Sequence, residues 1–359
     1  VDRLHEGQAV WHAAQYFYYN PFVLRCLQGI QGLQAFQGFG RGMKYIFKIT
    51  LCASSAFFLL CLASCDSALK TDYAERNSPT TGQLKIFYDE GLALHVKNQA
   101  LTFESHYADA HLSLFPCAES EAVQALYDDS CEAIVISRPL SASERKAFET
   151  KDYFPKFSAV AKSAVALITN TGTSIRKLTY DEVIKLLTQP FEIKDSTGNT
   201  IKLTVIFDKN NSSVIHYLKD SLLKGKDFSS SCNILNSSLE SINYVAQNKN
   251  TIAFIDFAWL SDVDDSIYKT TKNKIKFIAV DRHDSVFTYP DQSSFKLGTY
   301  PFTRTVYVYR KTGDFTLAKG FESFVAGPKG QLTFLKQGLL PNRQSERKIE
   351  INTEPLKNE

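Results

Sequence analysis

The hydrophobic pattern of the chain alternates between two periods. Between residues 203 and 223 the β-branched run LTVIF is followed by six polar residues and then by apolar residues at helical spacing, Val214, Leu218 and Leu222. A short β-branched run predicts a buried strand, and apolar residues three or four positions apart predict an amphipathic helix. Because such strands and helices alternate along the chain, the pattern predicts an α/β fold with parallel strands.

The same two patterns recur from residue 84 to residue 338. Strands are predicted at 84–88, 111–115, 132–137, 163–170, 203–207, 251–256, 274–280 and 305–310. Helices are predicted at 92–107, 119–129, 141–151, 178–188, 212–223, 239–248, 317–327 and 329–338. Two helix starts carry capping residues, since Ser141 opens one helix and Thr179 with Glu182 fits a capping box at another.

Residues 43–65 have a different pattern, in which Lys44 and Lys48 precede an apolar run that ends in LASC at Cys65. This layout is typical of a secretory signal peptide with a lipoprotein cleavage site. We therefore expect residues 43–64 to be removed, Cys65 to be lipidated and residues 65–82 to form a tether. A transmembrane anchor is the alternative, but the run is shorter than the roughly 20 residues that a spanning helix needs. The mature chain is then expected to be exported and lipid-anchored in the cell envelope.

Residues 1–42 and 346–359 are expected to lie outside the folded body. Residues 1–42 show no clean period, and Met43 is the only methionine of the chain, so we interpret them as upstream sequence. A genuine N-terminal extension is the alternative. Residues 346–359 are mostly polar and are expected to form a C-terminal tail.

Charge and motifs limit the classes of function. The net charge is +3 and no long lysine or arginine run occurs, so nucleic acid is not an expected partner. The sequence contains no G-x-S-x-G, H-E-x-x-H or P-loop motif, and the consecutive His283, Asp284 and Ser285 do not by themselves indicate a catalytic triad. No Cys/His spacing resembles a zinc site. We therefore expect no enzymatic activity, no cofactor and no metal.

Three cysteines follow Cys65 in the sequence. Cys117 and Cys131 flank one predicted helix, and Cys232 is remote from both in sequence. An exported compartment permits disulfides, and free cysteines are often buried as small hydrophobic groups. A disulfide between Cys117 and Cys131 and a pair of buried free thiols are both compatible with this placement.

Two predicted strand-to-helix junctions are built alike. LKIFYDEGLALHV and LTVIFDKNNSSVIHYL each run from a strand through an aspartate, Asp89 or Asp208, and a polar loop into a helix. Ligands of open α/β sheets bind at the carboxyl ends of strands, and helix N-termini favour anions. The second junction therefore offers Asn210, Asn211, Ser212 and Ser213 to a small polar ligand. Simple helix capping by these residue types is the alternative, and this segment alone leaves both open.

Seven short motifs occur in an order and spacing that resemble one known family. They are GQLKIFYDEG at 82–91, HYADA at 106–110, ISRPLSASE at 136–144, SAVALITN at 163–170, FDKNNSS at 207–213, YPFTR at 300–304 and GPKGQLTFLKQGLLP at 327–341. Together they resemble the substrate-binding proteins of phosphate ABC transporters, in their lipoprotein form. The resemblance covers roughly residues 82–345.

The resemblance implies a type II periplasmic-binding-protein fold, in which two α/β lobes close over a ligand. Residues 83–168 with 300–345 would form lobe 1, and residues 169–299 would form lobe 2. Each lobe would have a central parallel or mixed sheet, and SAVALITN and the run near YPFTR would be the two strands that cross between the lobes.

In this family, uncharged donors at helix N-termini and one arginine hold the oxyanion. The resemblance implies the following site residues by motif: Gly91 and Leu92 through backbone N–H groups, Ser137, Arg138, Asn211, Ser212 and Ser213. The planar guanidinium of Arg138 suits a tetrahedral oxyanion. A surface ion pair between Arg138 and Glu144 is the alternative.

Two departures from the family pattern bear on the ligand, since Gly91 stands where the family usually has Ser and Ser163 where it usually has Asp. In addition, Asp89 and Glu90 place acid beside the proposed site. A carboxylate there can accept the proton of monohydrogen phosphate and reject sulfate, but two carboxylates can equally repel a dianion.

The resemblance implies phosphate or a related oxyanion as the ligand and an ABC permease in the cytoplasmic membrane as the partner. The alternative is a non-transport surface lipoprotein that uses the same fold for sensing, adhesion or another small ligand.

Overall fold

The fold is seen in a computed structural model that describes residues 77–194, 198, 200–311 and 313–343. All described elements belong to one compact unit, Glu75–Glu359. The predicted signal peptide, the lipidation site Cys65, the first part of the tether and the C-terminal tail lie outside the described residues. Those expectations therefore stay predictions.

Strands and helices alternate along the described residues. The strands are β1 (Gly82–Asp89), β2 (Ala110–Cys117), β3 (Ala133–Ile136), β4 (Lys156–Asn170), β5 (Lys177–Leu178), β6 (Glu192–Lys194), β7 (Thr200–Lys202), β8 (Thr204–Phe207), β9 (Cys232–Ile234), β10 (Thr251–Asp256), β11 (Ile275–Phe277), β12 (Ala279–Val280), β13 (Thr303–Arg310) and β14 (Leu340–Pro341). The α-helices are α1 (Ala93–His106), α2 (Glu119–Tyr127), α3 (Ala142–Thr150), α4 (Tyr180–Thr188), α5 (Ser213–Tyr217), α6 (Ser238–Gln247), α7 (Ser266–Thr271), α8 (Gln292–Leu297), α9 (Leu317–Ala326) and α10 (Pro328–Lys336).

The main sheet runs in the order β2-β1-β3-β13-β4-β10-β8-β9. At one end, β1 is parallel to both β2 and β3, and at the other end β8 is parallel to β10 and β9. The predicted α/β class with parallel strands is therefore confirmed. β13 and β4 join the two parallel groups through antiparallel pairs, which makes the sheet mixed.

One long strand, β4, belongs to both parallel groups. Residues 156–164 of β4 pair with β13, and residues 165–169 pair with β10. The structure therefore has two α/β lobes that share β4, and the predicted crossing by SAVALITN is correct. The predicted strand was too short, since β4 begins at Lys156. Beside the crossing, the Val165 N–H donates to the Phe302 carbonyl at 3.0 Å, which holds the YPFTR segment against β4.

The predicted helix at 212–223 is not one regular α-helix. α5 ends at Tyr217, and the chain continues as a π-helical turn over Leu218–Leu222. The predicted apolar stripe is nevertheless correct, because Val214, Leu218 and Leu222 are all buried. Hydrophobic packing therefore fixes the direction of this segment while its hydrogen-bond spacing widens.

Cys117 and Cys131 are free thiols, so of the two alternatives the disulfide is excluded. Strand order gives the physical reason. Cys117 ends β2 and Cys131 precedes β3, and β1 lies between those two strands. Strands lie about 4.8 Å apart, so strands separated by a third are roughly 10 Å apart. A disulfide requires Cα atoms closer than about 7 Å.

Among the described residues, no helix combines the length and apolar character that crossing a membrane would require.

Candidate ligand-binding cleft

A cavity of about 360 Å³ lies between the two lobes. Glu119, Ser137, Arg138 and Arg304 line it on the side of β3 and β13, and Ser213 and Tyr217 line it on the side of α5. Ligand sites of this size are usual for small molecules and combine apolar walls with a few convergent polar groups. Ser137 and Arg138 directly follow β3, so the carboxyl end of that strand opens into this cavity, as expected for parallel sheets.

Arg138 follows β3 and is engaged by two carboxylates. Its Nη1 and Nη2 each donate to Glu144 at 2.8 Å, and its Nε lies 3.3 Å from an oxygen of Glu119. The ion pair with Glu144, which was the alternative interpretation of Arg138, is therefore present. Arg138 also lines the cavity and its side chain keeps 30% exposure, so an anion bound there would share the guanidinium with Glu144.

Ser137 joins two buried carboxylates. Its hydroxyl lies 2.8 Å from Glu119 Oε1 and 2.9 Å from Asp89 Oδ2, and its N–H donates to Glu119 Oε1 at 2.7 Å. Both acids are only 3% exposed. The Ser137 hydroxyl therefore serves the protein's own carboxylates in this conformation.

The loop after β1 is organised by Asp89. Asp89 caps the short 3₁₀ helix Glu90–Leu92, and its Oδ1 accepts the Gly91 N–H at 3.1 Å. The predicted ligand donor at Gly91 is thus already used. A Cβ atom at position 91 would lie 3.1 Å from Cβ of Asp256, which is tighter than about nine in ten real contacts. A side chain here would therefore require Asp256 to shift by a few tenths of an ångström.

Glu90 forms an ion pair from the first lobe to the second. Its carboxylate lies 3.3 Å from Nζ of Lys209, which follows β8. Both side chains are partly exposed, so the pair contributes little to stability. It does show that Glu90 faces the opposite lobe across the cleft.

At the start of α5, one serine caps the helix and the next serine lines the cavity. Ser212 is the N-cap, and its hydroxyl accepts the Ile215 N–H at 3.2 Å, so the capping interpretation is confirmed for Ser212. Ser213 is buried and lines the cavity. Asn211 is exposed, adopts a φ of 69° and hydrogen-bonds to His216. Of these three predicted site residues, only Ser213 is a wall residue of the cavity.

Arg304 is the main residue that the sequence analysis did not assign. It lies on β13 opposite Ser163 of β4, lines the cavity and has a side chain only 3% exposed. It forms an ion pair with Asp256, and the Ser163 hydroxyl donates to the same carboxylate at 2.6 Å. The YPFTR motif contains this arginine, but the sequence analysis used the motif only for the fold and gave Arg304 no binding role.

The Nε atom of Arg304 is buried and has no hydrogen-bond partner. Its guanidinium carbon lies 5.8 Å from the centre of the Tyr217 ring, which is within the range of a cation–π contact. A buried donor without a partner costs free energy unless something accepts from it. Arg304 is therefore a cationic donor at the cavity wall with unused capacity.

Burial shifts the acids around the cavity. It raises the pKa of Glu119 to about 7, and Asp89 adds to that shift while Arg304 and Arg138 oppose it. Burial also raises the pKa of Asp256, and Arg304 opposes that shift. In the described part of the chain, no group of three or more His, Cys, Asp or Glu is arranged to hold a metal ion.

The sequence matches the family model of the PBP superfamily domain over residues 74–329, which is more than half of the chain. The chain therefore belongs to the PBP superfamily of periplasmic binding proteins. None of the curated proteins that were compared matches it.

Two solved structures show a similar fold. One, from Clostridium perfringens, is described as a phosphate ABC transporter substrate-binding protein with bound phosphate; its TM-score is 0.61 at 18% identity, and the match covers 73% of this chain and 100% of that one. The other is an ABC-type phosphate transport receptor from Vibrio cholerae, with a TM-score of 0.55 at 15% identity and coverage of 72% and 100%. The two-lobe binding-protein fold expected from the motifs is thus confirmed.

Proposed function

We propose that this chain binds inorganic phosphate or a similar oxyanion between its lobes and delivers it to an ABC permease in the cytoplasmic membrane. The observation that carries the proposal is Arg304, a buried cation with an unpartnered Nε at the wall of the interlobe cavity. Guanidinium groups bind tetrahedral oxyanions through short, charge-assisted hydrogen bonds. Arg138 and Ser213 supply further donors at the same cavity.

The similar structures support this choice of ligand. One of them contains bound phosphate and the other is a phosphate transport receptor. A substrate-binding protein needs to be outside the cytoplasm, and the signal-peptide pattern with Cys65 supplies export and a lipid anchor in this proposal. The protein would act without catalysis, as a carrier.

Calorimetric titration of the purified protein with phosphate, sulfate, arsenate and molybdate tests the proposal. We expect saturable binding of phosphate at one site per chain. Arg138→Ala should weaken phosphate binding by about tenfold to hundredfold, since charge-assisted hydrogen bonds contribute about 1.5–3 kcal/mol. Arg145→Ala, which changes an exposed arginine of α3, is the matched control and should leave affinity unchanged. Absence of binding to every oxyanion in the correctly folded protein would refute the proposal.

One observation favours a second function. Arg138 is already engaged by Glu144 and Glu119, and Asp256 engages Arg304, so carboxylates of the protein already balance the charge of both cations. This balance suits a ligand that is less negative than a phosphate dianion. A surface lipoprotein that senses or binds another small ligand would give no phosphate heat in the same titration but would bind a neutral or zwitterionic compound.

A further inference from the structure

The hydrogen-bond geometry around Ser137 requires one more proton than is present when Asp89 and Glu119 are both ionised. A serine hydroxyl carries a single proton and can donate only one hydrogen bond of normal strength. Yet Ser137 Oγ lies within hydrogen-bond distance of both Asp89 Oδ2, at 2.9 Å, and Glu119 Oε1, at 2.8 Å. If both acids are ionised, one carboxylate oxygen faces a hydroxyl oxygen without a proton between them.

A proton on either acid supplies the missing hydrogen. When Glu119 carries it, Ser137 donates its hydroxyl proton to Asp89 and Glu119 donates its own proton to the Ser137 oxygen. The Ser137 N–H still donates to Glu119 at 2.7 Å. Both acids accept a backbone N–H, Asp89 from Gly91 at 3.1 Å and Glu119 from Ser137 at 2.7 Å, so these bonds do not decide between them. We place the proton on Glu119 because burial raises its pKa to about 7.

The charged groups that face Glu119 come from several elements. Asp89 at the end of β1 repels a second negative charge, while Arg138 after β3 and Arg304 on β13 attract it. Glu119 also opens α2, where the helix N-terminus favours a carboxylate. Across the cavity lie His216 and the exposed Asp220. Burial is the largest influence, and together with Asp89 it outweighs the two arginines and raises the pKa of Glu119 to about 7.

We propose that Glu119 is a proton-dependent specificity residue of the cleft, and that an oxyanion binds preferentially to the form in which Glu119 carries a proton. This inference rests on the proposed function. Glu119 lines the same cavity as Arg304, whose buried Nε has no partner. An anion that uses Arg304 adds a negative charge near Glu119, and like charges raise the affinity of a carboxylate for protons. Protonation also releases Arg138 from one of its two carboxylate partners.

The linkage has a definite sign. Binding raises the proton affinity of Glu119, so the protein takes up protons when phosphate binds near neutral pH. Affinity should fall as pH rises above about 7, by at most about tenfold per pH unit, which is the slope for one linked proton. Below that pH the carboxyl is already protonated, and this part of the dependence should disappear.

Calorimetric titration with inorganic phosphate, in buffers of different ionisation enthalpy at about pH 6 and about pH 8, counts the protons taken up on either side of the pKa. The wild type should take up more protons than Glu119→Gln at the higher pH. The ionisation of phosphate itself is common to both proteins and cancels in the comparison. Glu149→Gln, which changes an exposed carboxylate outside the cavity, is the matched control and should behave as the wild type. Equal proton counts in wild type and Glu119→Gln would overturn the role of Glu119 while leaving phosphate binding in place.

A measurement without ligand tests whether Glu119 carries a proton. The infrared difference spectrum between wild type and Glu119→Gln should show a protonated carboxyl band at about pH 6 that fades by about pH 8. Absence of that band at the lower pH would overturn the inference. If phosphate fails to bind the wild type at either pH, the proposed function is refuted, and its proton linkage with it.

Discussion

Arg304 and Asp256 form a buried ion pair. We expect that removing Arg304 alone destabilises the protein strongly and that removing both charges destabilises it much less. The Arg304 side chain is 3% exposed and the Asp256 side chain is fully buried. Arg304→Met removes the cation and leaves a buried carboxylate without a counter-charge, which typically costs about 3–5 kcal/mol. Asp256 keeps two hydrogen bonds, from the Ser163 hydroxyl at 2.6 Å and the Ala258 N–H at 2.8 Å. We therefore expect a loss in unfolding free energy near the lower end of that range.

The double variant Arg304→Met with Asp256→Asn should recover most of that loss. Replacing both members of a buried ion pair by neutral groups of similar volume is often close to neutral. Asp256→Asn can still accept the Ala258 N–H through its amide oxygen. The two single changes should therefore be strongly non-additive, with a coupling of about 2 kcal/mol or more, within the range known for residues in contact.

Urea unfolding of the four proteins measures this coupling. Lys156→Met is the control, because Lys156 pairs with Asp314 at the surface with both side chains more than half exposed, and such pairs contribute about 0–1 kcal/mol. The deficit of Arg304→Met should also shrink as pH falls, since Asp256 without its cation protonates more readily. Additive effects of the two single changes would refute the assignment of a coupled ion pair.

Four further results are expected. Ser212→Ala should lower stability by about 0.5–2 kcal/mol without changing phosphate affinity, because it removes a helix cap. Ser213→Ala should instead weaken phosphate binding by about 0.5–1.5 kcal/mol. Melting curves beside calorimetry separate the two effects, and the reverse pattern would contradict the assignment. Burial raises the pKa of Asp208 to about 6, above its ordinary value, so stability should fall as pH rises from about 4 to about 6, and urea midpoints of Asp208→Asn should lack this decline. Small-angle scattering should show a smaller radius of gyration with phosphate than without it, since two-lobe proteins close around ligands; an unchanged radius at saturation would argue against closure. Intact mass of the membrane fraction should show lipid on an N-terminal Cys65, and a mature protein that begins elsewhere would disprove lipidation there.

Local signals in the sequence predicted local structure well. The Ser141 cap and the Thr179–Glu182 capping box both form, and the strands of β1, β8 and β10 lie where their β-branched runs placed them. These features depend on residues a few positions apart. The two-lobe architecture was also predictable, because motif order along the chain reflects the order of the elements.

The polar arrangement of the cleft could not be predicted in the same way. Asp256, Arg304 and Ser163 meet only because β4 pairs with β13 and β10 in one register, and they are separated by 48 to 141 positions in sequence. Glu119 looked like an ordinary first-turn helix residue. The partners of a buried charge depend on long-range strand pairing, and no pattern within one segment encodes that pairing.

The strand shared by the two lobes, β4, also affects how the protein unfolds. β4 pairs with β13 over its first part and with β10 over its second, so the same strand is internal to both halves of the sheet. If either lobe unravels, half of β4 loses its hydrogen-bonded neighbours and exposes side chains that are buried, such as Val160 or Leu167. We therefore expect that neither lobe folds independently and that heat or denaturant melts both in a single cooperative transition.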